Sequence, residues 1–94
     1  MPGAVVQPGV SIGENVIINT HASIDHDAII HPHCHIAPGA VLCGHAVVGE
    51  ATHIGAGAVI IENVQIGRDV VIGAGSIIVR DVPDSAIIRA VARQ

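Results

Sequence analysis

The chain has 94 residues, with four Lys or Arg against eight Asp or Glu, and a formal net charge of −4. That length supports one domain with a modest core, and the acidic balance leaves no electrostatic footprint for nucleic acid. No apolar run has membrane-spanning length and the N-terminus lacks a signal-peptide pattern, so the expectation is a soluble cytoplasmic protein with its two cysteines reduced.

Half of the chain is apolar, yet it contains no Phe, Tyr or Trp, and eleven glycines and five prolines argue against long helices. From Val6 onward every sixth residue is a branched aliphatic: Ile12, Ile18, Ile24, Ile30, Ile36, Leu42, Val48, Ile54, Ile60, Ile66, Ile72 and Ile78. The position two before each is small, from Val10 and Val16 through Ala22, Ala28, Cys34, Ala40, Ala46, Thr52, Ala58, Val64 and Val70 to Ser76. Residues two apart in a strand face the same way. Each hexad therefore reads as a short strand with two inward residues, one outward residue between them, and a three-residue corner. Gly or Asn at the first corner position (Gly13, Asn19, Gly49, Gly55, Gly67, Gly73) suggests positive φ there. No hexad buries its own apolar face, so the units must stack.

Between Ile18 and Ala40 the chain reads INTHASIDHDAIIHPHCHIAPGA. All seven histidines (21, 26, 31, 33, 35, 45 and 53) fall outside the inward registers. A His–acid pair, His26-Asp27, is followed nine residues later by His35. Transfer of an acyl group from a thioester needs a base for the attacking hydroxyl or amine, and imidazole with an orienting carboxylate is suited to that task. Further on, Ala37-Pro38-Gly39, Gly55-Ala56-Gly57 and Gly73-Ala74-Gly75 make one corner column almost without side chains. Such a ridge offers backbone groups to a thin extended ligand such as a pantetheine arm. No metal is expected.

The motif resembles that of the hexapeptide-repeat sugar acetyltransferases of the sialic acid and bacillosamine type, and the likeness extends through Ala74. The resemblance implies an all-β, left-handed parallel β-helix of triangular section, with about eighteen residues per coil, and a homotrimer. Outward strand residues then fall on three faces: Ile17, His35, His53 and Val71; Ser23, Val41, Val59 and Ile77; Ile29, Val47 and Gln65. Their aliphatics suit an interface. By the same resemblance His26 is the catalytic base, Asp27 raises its basicity, and His35 contacts acetyl-CoA near the thioester. Ala56 and Ala74 meet the cofactor through their backbones. Gly44 is a further cofactor candidate, Asn19 a substrate-positioning one, and Arg68 and Arg80 are candidates for the CoA phosphates. A contact between Asp27 and His45, one coil on, is the competing structural account of the acid.

The family's N-terminal nucleotide-sugar-binding domain has no counterpart in the sequence, and its G-x-P-A-[KR] tail is missing. The expected organisation is a β-helix over 1–83 and a C-terminal cap over 84–94. Two other functions fit parts of the pattern. His26 and His31 have the H-x4-H spacing of paired zinc ligands in γ-type carbonic anhydrases, and a trimeric scaffold without chemistry would keep the repeats alone.

Overall fold

Each hexad forms one two-residue strand, an outward residue followed by the inward aliphatic, and the small inward residue precedes it. The computed structural model describes residues 3–89 and contains fourteen such strands. They are β1 (Val5–Val6), β2 (Ser11–Ile12), β3 (Ile17–Ile18), β4 (Ser23–Ile24), β5 (Ile29–Ile30), β6 (His35–Ile36), β7 (Val41–Leu42), β8 (Val47–Val48), β9 (His53–Ile54), β10 (Val59–Ile60), β11 (Gln65–Ile66), β12 (Val71–Ile72), β13 (Ile77–Ile78) and β14 (Ile87–Ile88). Every third strand is a neighbour in space. The first sheet is β1-β4-β7-β10-β13, the second β2-β5-β8-β11 and the third β3-β6-β9-β12-β14. All pairs are parallel, and up to Ile78 partners lie eighteen residues apart, as in Val41↔Val59 and His35↔His53. There is no helix among the described residues. The chain is an all-β parallel β-helix whose three outward faces carry the residue sets expected from the hexad count.

The core is a single column of stacked aliphatics. Ile24, Ile30, Ile36, Leu42, Val48, Ile54, Ile60 and Ile72 are completely or almost completely buried, each worth roughly 1.5–3 kcal/mol of burial. In the first coil Val6 and Ile12 stay 46% and 40% exposed, because no described coil lies beneath them. Two inward polar groups are satisfied by the backbone. The Cys34 thiol donates to the Gly49 carbonyl at 3.0 Å, and the Thr52 hydroxyl donates to the Gly67 carbonyl at 2.8 Å.

The corners correct one expectation. Positive φ falls on the third corner residue, not the first: Asn15, His21, Asp27, His33, Gly39, His45, Ala51, Gly57, Asn63, Asp69 and Gly75 all have it. Amide-to-carbonyl bonds such as Ala28 to Asp25 and Ala46 to Cys43 close corners of the first-to-second and third-to-first sheet junctions over four residues, and positive φ at the third of them marks a type II turn. Pro8, Pro32 and Pro38 take the second place, where such turns favour proline. Glycine at the first position answers to close approach between coils. A Cβ on Gly49 would lie 2.5 Å from the Gly67 backbone, and one on Gly55 would lie 2.6 Å from the Ala74 amide.

Beyond Ile78 the coil contracts. Val82 bridges to Ile66 and Ile88 pairs with Ile72, a spacing two residues shorter than before. The Asp81 and Asp84 carboxylates accept hydrogen bonds from the Gln65 and Arg68 amides at 2.8 and 3.0 Å. The segment expected as a cap, 84–94, is described to Arg89, and its remainder, 90–94, lies outside the described residues.

Candidate active site

Corners place chemistry in this fold, because strands only alternate inward and outward residues. His26 and Asp27 occupy the second and third positions of the corner joining the first sheet to the second. His26 Nδ1 donates to Asp27 Oδ2 at 3.4 Å, and His45 Nε2 lies 4.0 Å from the same oxygen. The two rings meet edge to face with centroids 5.1 Å apart. Asp27 therefore faces both histidines. All three side chains are about half exposed, so their attraction adds little to stability and serves orientation instead.

Gly44 stacks directly on His26. A Cβ there would sit 2.7 Å from His26 Nε2, so the glycine makes room for the ring. Beside the ring is a groove of about 280 Å³ lined by Asp25, His26, Cys43, Gly44, Ile61 and Glu62. Asp25, Cys43 and Glu62 escaped the motif reading. Their signal was positional, since residues 25, 43 and 61, and 26, 44 and 62, stack at intervals of eighteen. Burial first, then the charges of Asp25 and Glu62, pushes the Cys43 thiol pKa up. A larger cleft of about 550 Å³, bounded by His31, Arg68 and Asp84, lies where the last coil contracts and is lined by neither His26, Asp27 nor His35.

His35 points outward from the third sheet. Asn19 Nδ2 donates to its Nε2 at 2.6 Å, which leaves the ring proton on Nδ1. Asn19 thus orients His35. The ring of His53, one coil on, lies 4.7 Å from that of His35 between centroids. Desolvation, and then the charge of His35, lowers the His53 pKa. At the adjoining corner, between the third and first sheets, the bare column is open: nothing lies within 4 Å of a Cβ built on Gly57 or Gly75. The Gly57 and Gly75 amides are spent on Pro38 and Ala56 carbonyls at 3.0 and 2.9 Å. Those of Ala56 and Ala74, both exposed, donate to no backbone carbonyl among the described residues.

The expected residues thus form two groups. His26, Asp27 and Gly44 occupy one edge of the first sheet, while Asn19, His35, Ala56 and Ala74 gather at its other edge. One chain does not bring them together. Arg68 pairs with Glu50 and Asp69 at 3.8 and 3.5 Å, and Arg80 is exposed. His31 does not join His26: among the described residues, the group able to share a cation is His26, Asp27 and His45.

The stacked hexad fold has counterparts among known proteins. The bacterial transferase hexapeptide (six repeats) family matches residues 9–44 and 45–80, and the chain belongs to it. The chain is similar to the acetyltransferase domain of PglB from Neisseria gonorrhoeae, solved with acetyl coenzyme A, at 41% identity and TM-score 0.94 over 96% of this chain and 44% of that one. A histidine mutant of perosamine N-acetyltransferase from Caulobacter crescentus, in complex with CoA and GDP-perosamine, is 38% identical with TM-score 0.63, over 92% of this chain and 50% of that one. Serine acetyltransferase 1 from Entamoeba histolytica is 27% identical with TM-score 0.84, over 90% and 38%. The chain spans half or less of the length of these relatives. No curated protein matches it.

Proposed function

We propose that the chain is an acetyl-CoA-dependent acetyltransferase acting, as a cytoplasmic homotrimer, on an amino or hydroxyl group of a sugar. The observation that carries this reading is the His26–Asp27 hydrogen bond beside an open groove. With Nδ1–H held by the carboxylate, Nε2 accepts the proton of the attacking amine or hydroxyl. The new C–N or C–O bond forms at the thioester carbonyl, the C–S bond breaks, and the CoA thiolate takes up the proton from the imidazolium. Direct transfer is favoured over an acyl-cysteine route, because Cys43 has a raised pKa and little thiolate character. Asp25 and Glu62 in the groove favour an amine over an acidic acceptor, which supports N-acetylation of an amino sugar.

The division of the residues between two edges supports the trimer. If three first sheets face a common axis, the His26 edge of one copy meets the His35 and Ala56–Ala74 edge of the next. The base and the cofactor groups then line one cleft. That acetyl-CoA or CoA occupies the solved relatives supports the same cofactor here.

Two measurements test the reading. Saturating acetyl-CoA is expected to raise the melting temperature, about 2.7 kcal/mol of stabilisation at a hundredfold excess over Kd; no shift favours a scaffold. His26→Ala is expected to lower acetyl transfer about 10²–10⁴-fold with an unchanged melting temperature. Activity that survives the substitution refutes the assignment of the base.

A further inference from the structure

His45 has no task in the mechanism above, yet the fold holds it against the catalytic pair. Asp27 and His45 are third corner residues of consecutive coils with φ of 59° and 60°, so their side chains leave the backbone alike, one above the other. The His45 amide donates to the His26 carbonyl at 3.1 Å and fixes the spacing. Three donor atoms, one each from His26, Asp27 and His45, lie within 4.8 Å of one another. Zinc bound tetrahedrally at about 2.0–2.2 Å holds its donors about 3.3 Å apart. The 3.4 Å between His26 and Asp27 already meets that spacing, and the 4.0 Å between His45 and Asp27 closes by rotation of exposed side chains. Two imidazoles and a carboxylate suit zinc-like ions over magnesium or calcium.

We infer that His26, Asp27 and His45 bind one zinc-class divalent cation, with water in the fourth position, and that this ion switches the enzyme off. Binding rests on the geometry alone, while the switching rests on the proposed role of His26. An ion on His26 Nδ1 displaces the proton held there, and the one N–H of the neutral ring is then on Nε2. The nitrogen that must accept the acceptor's proton is occupied. The ion also takes Asp27, which would have stabilised the imidazolium. The cation here is an inhibitor rather than a cofactor, which separates this site from a zinc hydratase centre.

Calorimetric titration of the chelator-treated protein with zinc chloride tests the site, with cobalt chloride added in parallel for its tetrahedral absorption bands. One zinc per chain is expected, with at least a tenfold loss of affinity in His45→Asn, a change that tolerates the same left-handed backbone. In acetyl-transfer assays, added zinc is expected to inhibit reversibly, with relief by chelator, and His45→Asn is expected to raise the inhibitory concentration at least tenfold. Unchanged binding in both His45→Asn and Asp27→Asn overturns the site. Tight binding without inhibition overturns the switch. Because the titration needs no turnover, a protein that binds zinc but transfers no acetyl group refutes the proposed function and leaves the site standing.

Discussion

Three of the seven histidines owe their positions to backbone geometry before any chemistry. His21, His33 and His45 share the left-handed region with Asp27, Asn15 and Asn63, and His, Asn and Asp are among the non-glycine residues that enter it most readily. His26, His35 and His53 are elsewhere on the coil, and two of them are in the proposed site. His53 has a pH signature. Its pKa lies below the ordinary 6.5, chiefly from desolvation, so the fold favours its neutral form. That contribution is complete above the unfolded value and is lost as pH falls from there through the folded one. The melting temperature should therefore fall more steeply below pH 6.5 for the natural chain than for His53→Gln; identical profiles would refute this. The His26-Asp27 pair and His35 were legible from the motif. The Asp27–His45 contact was legible from the eighteen-residue stacking, whereas the room that Gly44 leaves for the His26 ring was not, because it depends on atoms one coil away.

Among the elements, the strands were legible and the turns only partly so. Two strict registers every six residues leave a single way to bury the aliphatics. A first-position glycine, by contrast, has the same appearance in sequence whether it serves φ or a close approach, and the distinguishing atom lies eighteen residues on. The two causes separate experimentally. Gly55→Ala drives a methyl group into the Ile72 and Ala74 backbone and is expected to cost about 1–3 kcal/mol as overpacking. Urea denaturation of Gly55→Ala should reveal that loss as a lower midpoint, and an unchanged midpoint would show that the coils spread without penalty.

For the whole molecule, 37 × 26 × 22 Å, apolar surface remains on the sides. Ile77 is 64% exposed and stands on the first sheet with Val41 and Val59. If the first sheets meet in a trimer, sedimentation should give three times the 9.5 kDa chain mass. Ile77→Asp should then dissociate it with the β-sheet circular dichroism retained. A monomeric natural chain would remove the composite cleft and, with it, the proposed meeting of base and cofactor.

The eighteen-residue stacking also gives the chain something like a reading frame. Each hexad turns the backbone onto the next face, so the core cannot distinguish an insertion of six residues from none. A site can. Six extra residues between His26 and Ala56 would leave every aliphatic inside and every turn intact, yet would move the downstream corners to the wrong edge. Only whole coils preserve both packing and chemistry. Length in this fold is therefore quantised twice, in sixes for stability and in eighteens for function.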